Sequence, residues 1–317
     1  MAQFYSNGKL LLTGEYTVLD GALALGLPTQ MGQSLTVSSL NKPKITWKSH
    51  DNKGKVWLQV DFDLENGIPF LQKANPYNLS KNRLSMANTL LKILLEAQRM
   101  NPQFLMGSPG HAVETHLDFP RKWGLGSSST LINNIAQWAQ VDAYQLLWNS
   151  FGGSGYDIAC AQYHMPILYQ LIKGRPHVEP IPFNPKFKDH IYFVYLNKKK
   201  SSRRGILTYD SLDFDRTTLA KKISAITKKM IRCTSTEQFE KLLLEHELLM
   251  SDILGMPRAC QLFPDYNGGI IKSLGAWGGD FVLVTAQEDP TGYFTSKGFK
   301  TVLPYSKMIL GIPDRIV

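Results

Sequence analysis

The chain has 317 residues, enough for about two compact domains at about 150 residues each and too long for a small disulfide-stapled scaffold. Hydrophobic residues make up 43% and charged residues 19%, which excludes an intrinsically disordered chain and supplies a core. The excess of 35 Lys and Arg over 26 Asp and Glu, +9 at pH 7, favours acidic partners such as phosphates, nucleic acid or anionic lipid without choosing among them.

Residues 1 to about 65 are strand-rich, with period-two alternation clearest at Val56, Leu58, Val60 and Phe62. From Asn82 to Arg99 the period changes: Leu84, Ala87, Leu91, Leu94 and Leu95 are expected on the buried face of a helix that Pro102 forbids from extending. A strand is expected near His111–His116, then a loop, then a helix with Leu131, Ile132, Ile135, Ala136 and Ala139 inward. Five prolines between 166 and 185, around the strand-like Ile167–Ile172, read as edge strands leading into a domain junction. Beyond it come an apolar strand at Ile191–Leu196 and two amphipathic helices. Leu219, Ile223, Ile226 and Met230 mark the first. Phe239, Leu242, Leu243, His246, Leu249 and Met250 mark the second, which opens with Ser235 and Gln238 at capping-box spacing. A strand at Phe281–Thr285 and a short helix near Tyr293 complete a β-α-α-β-like region.

Cys160, Cys233 and Cys260 show no CxxC spacing and read as thiols of a reducing compartment. No basic segment leads into an apolar run at the N-terminus, and the apolar stretch Ala22–Leu27 is broken by Gly26 and Pro28. Neither a signal peptide nor a membrane span is expected, and the expected location is the cytoplasm.

The most informative segment is 122–130, KWGLGSSST, a glycine-rich turn running into a helix near Ser127. Gly124 and Gly126 let the backbone approach a ligand, the helix N-terminus offers N–H groups to an anion, and the hydroxyls of Ser127, Ser128, Ser129 and Thr130 suit a phosphate or a hard cation. Three further glycine-rich segments accompany it: 8–16, GKLLLTGEY, with Lys9 and Glu15; 152–159, GGSGYDIA, with Asp157; and 273–280, SLGAWGGD, with Gly275, Gly278 and Gly279. Segment 198–204, KKKSSRR, reads as a loop after the strand at Ile191–Leu196; its five cations and no acid suit it to hold an anionic group, or make it a solvated basic loop. His111 and His116 flank Glu114, but the spacing is not HExxH and the alternation is that of a strand, which argues against a local metal site. His246 reads as a packing residue on an apolar helix face.

Taken in order, these segments resemble the three motifs of the GHMP kinase superfamily: Gly8–Gly21 the first, Pro120–Thr130 the second, Ile271–Asp280 the third. Gly8-Lys9, Gly14-Glu15-Tyr16 and Ser154-Gly155-Tyr156-Asp157 look most like phosphomevalonate kinase, then mevalonate kinase. The resemblance implies a two-domain α+β fold: a ribosomal-protein-S5-domain-2-like ATP-binding domain over residues 1–185 and a ferredoxin-like domain over 186–317. It implies ATP and Mg²⁺ as cofactors. It assigns Asp157 as catalytic base and Lys9 as the lysine near the reacting groups. Gly124, Leu125, Gly126, Ser127, Ser128 and Ser129 fall in the nucleotide-phosphate loop, with Ser128 also contacting magnesium. The acceptor falls to Glu15, Lys200, Ser201, Ser202, Arg203, Gly275, Gly278 and Gly279. The implied partner is a small anionic substrate, most simply phosphomevalonate or mevalonate, with no nucleic acid and no membrane; a homodimer is left open. Two features depart from the mevalonate kinase pattern: residues 143–150, AYQLLWNS, lack the magnesium-binding glutamate, leaving Asp142 as the nearest upstream carboxylate, and Trp277 stands at a usual glycine. The alternatives are another acceptor such as homoserine or a sugar, diphosphomevalonate decarboxylase, a nucleotide-binding chain without turnover, and an RNA-binding protein.

Overall fold

The structure is a computed structural model, and it describes residues 1–71, 77, 79–107 and 109–311. In chain order the elements are β1 (Ala2–Thr13), β2 (Ala24–Ser39), β3 (Lys44–His50), β4 (Val56–Glu65), β5 (Ile68–Phe70), α1 (Lys81–Met100), β6 (His111–Leu117), α2 (Ser127–Ala139), α3 (Ala143–Ser150) and α4 (Tyr156–Gln162). There follow β7 (Ile167–Ile172), β8 (Arg175–Pro180), β9 (Ile191–Tyr195), α5 (Ser202–Asp210), α6 (Arg216–Met230), α7 (Thr236–Leu254), β10 (Ile271–Ser273), β11 (Phe281–Thr285), α8 (Thr291–Ser296), β12 (Val302–Pro304) and α9 (Tyr305–Met308). The chain forms two compact units. The first comprises Met1–Gly8, Met31–Arg121 and Gly126–Gln162; the second comprises Lys9–Gln30, Lys122–Leu125 and Tyr163–Val317. Residues 312–317, the end of the expected second domain, lie outside the described residues.

In the first unit β4 and β3 pair antiparallel, with Trp47 opposite Val60, and β3 and β6 pair parallel, with Trp47 opposite Val113. β6 then pairs antiparallel with residues 33–39 of β2. Alternation sends Ile45, Trp47, Leu58, Val60, Phe62 and Val113 to one face, where they meet Ala87, Leu90, Ile93, Leu94 and Ala97 of α1 and Ile132, Ile135, Ala136 and Ala139 of α2. The expected inward set for α1 needs correction: Leu84 and Leu95 are 41% and 38% exposed, and Leu90 and Ile93 take their place. The buried stripe 87, 90, 94, 97 keeps a tighter i, i+3, i+4 spacing than the set chosen from hydrophobicity alone.

In the second unit the antiparallel sheet runs β10-β11-β9-β12. The connection β9-helices-β10-β11-α8-β12 with that order is the ferredoxin-like arrangement, β11 lying between two strands that a helical crossover joins. The two amphipathic helices appear as α6 and α7 with Leu219, Ile223, Ile226, Met230, Phe239, Leu242, Leu243, His246 and Met250 buried, and Ser235 Oγ accepts from Gln238 N (3.3 Å) at the start of α7. Segment 198–204 departs from the loop expected for it. Ser201 caps a helix by accepting from Arg204 N (3.3 Å), and α5 begins at Ser202. β7 pairs with Ala24–Gly26 of β2 and with β8, whose prolines stand on an edge strand. Among the described residues no helix is long and apolar enough to cross a membrane.

Candidate functional site

The turn into α2 is built by two left-handed glycines, Gly124 (φ +69°) and Gly126 (φ +90°), the latter standing at the N-cap where it offers no side chain of its own. The first-turn N–H groups of α2 therefore have no side-chain cap and face whatever anion approaches. Ser128 is exposed and Ser127 half-buried, whereas Ser129 and Thr130 are buried. Ser129 Oγ donates to Gly126 O (2.9 Å), and Thr130 Oγ1 donates to Gln33 Oε1 (2.6 Å), so these two hydroxyls brace the turn. Beneath α2 lies a buried amide and hydroxyl network. Ser6 Oγ donates to Asn134 Oδ1 (2.7 Å), Asn133 Nδ2 to Ser6 Oγ (2.8 Å), Asn134 Nδ2 to Gln33 O (2.9 Å) and Gln162 Nε2 to Asn133 Oδ1 (3.0 Å). It holds α2 to the two N-terminal strands and to α4, and satisfied networks of this kind fix a position that apolar packing would leave freer.

Asp157, half-buried, sits in the first turn of α4 in the same unit, its Oδ1 accepting from Ile158 N (3.1 Å). The loop before it is held by Trp148 Nε1, which donates to Gly153 O (3.1 Å). Asp142 caps α3, its Oδ1 accepting from Gln145 N (2.8 Å).

The second unit gathers the other segments. Lys9 N donates to Leu125 O (3.0 Å), joining the first segment to the glycine turn. A methyl group built on Gly124 would lie 2.1 Å from Asp280 Oδ2, so the carboxylate rests directly on that glycine. Asp280 itself has a left-handed backbone (φ +53°), its N donates to Lys198 O (2.7 Å), and its Oδ1 accepts from Lys200 N (3.2 Å). Burial pushes the Asp280 pKa up, against the opposing pull of the Lys200 N–H and the charges of Lys9 and Lys199. The Lys200 stem crosses Gly279, where an added Cβ would meet its Cγ at 2.1 Å, and passes Gly278. Lys9, Gly124, Leu125, Lys199, Lys200, Gly278, Gly279 and Asp280 thus form one cluster. Ser202, Arg203 and Arg204 are exposed at the start of α5.

Glu15, expected at the acceptor, is 1% exposed: Lys272 Nζ donates to its Oε1 (2.5 Å), and His246 Nε2 lies 3.1 Å from its Oε2. Its carboxylate ties the first segment to the third instead of presenting a free face. Burial acts to raise the Glu15 pKa, and the charge of Lys272 outweighs it and holds the group low. Burial and then Lys272 lower the His246 pKa, and its Nε2 accepts from Gly14 N (3.2 Å). Next to Glu15, the Tyr16 hydroxyl accepts from Trp277 N (3.2 Å), and Trp277 Nε1 donates to Pro257 O (2.9 Å), so the large side chain at the usual glycine is buried and hydrogen-bonded. Tyr16 also stacks on Tyr209 of α5 (5.4 Å), and Tyr209 donates to Asp20, which Arg216 pairs.

No family model matches the sequence, and no curated protein matches it. Solved structures match over almost the whole chain. Mevalonate kinase from Methanococcus jannaschii aligns with a TM-score of 0.68 at 15% identity, covering 95% of this chain and 96% of that one. Phosphomevalonate kinase from Streptococcus pneumoniae, in complex with phosphomevalonate and AMPPNP, aligns at 0.66 and 13% identity over 94% and 96%. Galactokinase from Lactococcus lactis, in complex with galactose, aligns at 0.66 and 14% identity over 98% and 93%. This chain has the GHMP kinase fold.

On that fold several structural partners escape a reading of the sequence alone. Lys272 and Glu247 are buried carriers of charge in the third segment and in α7; Glu247 accepts from Ser273 N (3.0 Å) and Ala259 N (2.9 Å). A lysine in the middle of a short apolar strand, IIKS, was the available signal for the first. For the network under α2 the signal was Asn133-Asn134 on an otherwise apolar helix face.

Proposed function

We propose that this chain is an ATP-dependent small-molecule kinase that transfers the γ-phosphoryl group of ATP to a small anionic acceptor, phosphomevalonate in the first place and mevalonate in the second. The observation that carries the reading is the cluster in which Lys9, the Gly124–Leu125 turn, Lys199–Lys200 and the Gly278–Asp280 loop meet, although they are far apart in sequence. Such a cluster suits phosphates by charge and by backbone approach. The bound phosphomevalonate and AMPPNP of the Streptococcus pneumoniae enzyme give that chemistry a precedent on the same fold.

Phosphoryl transfer is catalysed mainly by alignment and by neutralising charge as it spreads. Lys9 and the uncapped N–H groups of α2 supply fixed positive charge. The residues fit Mg²⁺-ATP: the left-handed Gly126 leaves the start of α2 without a side-chain cap, open to a phosphate, and the exposed Ser128 hydroxyl with Ser127 beside it offers the oxygen donors a hard cation prefers. Magnesium supplies neutralisation of the phosphate oxygens when bound. Asp157 accepts the proton of an alcohol acceptor; with a phosphate acceptor it orients the attacking oxygen. Lys200, Ser201, Ser202 and Arg203 hold the acceptor's anionic group, Gly275 and Gly278 leave room for it, and Gly279 lets the Lys200 stem pass. Glu15 acts from behind, by positioning Tyr16 and the third segment.

The test is ATP consumption with Mg²⁺ against mevalonate, phosphomevalonate, diphosphomevalonate, homoserine and galactose, with products identified by mass. Phosphorylated phosphomevalonate is the expected product. Turnover confined to galactose or homoserine would overturn the acceptor assignment, and ATP binding without any transfer would favour the second reading, a nucleotide-binding chain without turnover. That second reading has a specific support: a carboxylate, Asp280, rests on the phosphate turn, while Asp142 is engaged as a helix cap.

A further inference from the structure

A cluster on the outer face of the first unit is independent of the kinase reading. β3 and β6 run parallel with His50 beside His116 and Lys48 beside Glu114. Because side chains alternate, His50, Glu114 and His116 share the face opposite the buried Trp47, Ser49, Val113 and Thr115. Glu114 Oε2 lies 3.9 Å from His50 Nε2 and 3.8 Å from His116 Nε2, and one ligand atom from each of the three falls within 4.8 Å of the others. Within the sequence, His111, Glu114 and His116 show no metal-ligand spacing. The third member is instead His50, brought in across the sheet, while His111 turns edge-on to Trp138.

The orientation of His50 is the informative detail. Its Nδ1 lies 3.2 Å from Gly54 O in the β3–β4 turn, and a carbonyl only accepts, so Nδ1 carries the hydrogen and the neutral ring leaves Nε2 with a lone pair. That Nε2 is buried and has no hydrogen-bond partner, and it points toward Glu114. A ring locked by an N–H to a backbone carbonyl with its other nitrogen unshared is the usual outer-shell arrangement of a metal-bound histidine. His116 stacks on His50 (4.2 Å between centroids, 4° between planes) and is 45% exposed. An ion must lie in the plane of each imidazole, so His116 swings out of the stack to bind. The separations then close to the edges of about 3.3 Å that bonds of about 2.0–2.1 Å require.

We propose that His50, Glu114 and His116 bind a divalent transition ion, with Zn²⁺ the fitting metal, water completing the coordination. Two imidazoles and one carboxylate suit Zn²⁺ and its Co²⁺ substitute; Mg²⁺ and Ca²⁺ prefer oxygen-only sets.

The test is titration of tag-free, chelator-treated full-length protein with Co²⁺, following the visible ligand-field spectrum, then displacement by Zn²⁺ with calorimetry for affinity. One saturable equivalent is expected, with no thiolate charge-transfer band. His116→Gln, an exposed change that leaves the fold intact, is expected to weaken binding at least about tenfold, and His50→Ala with His116→Ala to abolish it, while His111→Ala leaves it unchanged. Binding that does not saturate at one equivalent, that persists unchanged in His116→Gln, or that shows a cobalt–thiolate band would overturn the proposal.

Discussion

Replacing Lys272 by methionine removes the cation from a pair whose two side chains are 0% and 1% exposed. The neighbouring Ser273 O also loses its donor (2.8 Å). Methionine fills most of the lysine stem's volume, so the cost is chiefly that of a stranded carboxylate, about 3–5 kcal/mol for breaking a buried pair from one side. The exposed pair Lys297–Asp265, at 34% and 59%, is screened by water, and the same change there would cost far less. Adding Glu15→Gln to Lys272→Met removes the stranded charge, and the double variant should be more stable than the sum of the single losses by at least about 1 kcal/mol. The pH dependence separates this account from simple loss of packing. In the parent, burial and Lys272 hold the His246 pKa below its ordinary value, so the parent is destabilised as pH falls below the unfolded value of about 6.5. Without Lys272, burial still lowers the His246 pKa but one opposing charge is gone and Glu15 remains at 3.1 Å, so the pKa lies closer to its ordinary value and the variant loses less stability than the parent as pH falls below about 6.5. The deficit of Lys272→Met should therefore be largest near pH 8 and shrink toward about pH 5.5, measured by urea denaturation followed by circular dichroism and tryptophan fluorescence. A deficit under about 1 kcal/mol at pH 8, or one that grows as pH falls, would refute the reasoning.

Asp280→Asn removes a negative charge that rests on Gly124, and calorimetry should show metal-free ATP binding about threefold tighter or more, with a smaller change for Mg²⁺-ATP. Thr130→Val breaks the bond to Gln33 and leaves its oxygen without that donor; a loss of about 1–3 kcal/mol is expected in denaturant melts. Lys199→Ala with Arg203→Ala, both at exposed positions, should raise the KM for the acceptor about tenfold or more while the KM for ATP changes less than about twofold, read from steady-state kinetics.

Local pattern made several elements legible before any coordinates. The apolar stripe of α6, the Ser235 cap of α7 and the strand at Phe281–Thr285 follow from spacing within a few residues, and glycine runs mark the turns at 124–126 and 278–279. What stayed hidden depends on partners distant in sequence. Lys272 and Glu15 stand 257 residues apart, and nothing local to either announces the other. His50 joins Glu114 and His116 through the parallel register of β3 and β6, which no alternation within one strand can fix. Leu84 and Leu95 were drawn inward by hydrophobicity, but the sheet covers only the stripe centred on Leu90 and Leu94. Segment 198–204 looked like a solvated basic loop because its cations masked the Ser201 cap, a signal of the same kind as that of Ser235.

The measurement that tests phosphoryl transfer most directly follows the γ-phosphorus of ATP by phosphorus NMR in the parent and in Lys9→Met, side by side with phosphomevalonate and Mg²⁺. The account predicts that the parent moves the signal into a new phosphate ester, and that Lys9→Met slows this at least about a hundredfold while binding ATP within about tenfold of the parent. Appearance of inorganic phosphate alone in the parent, or equal transfer by both proteins, would contradict it.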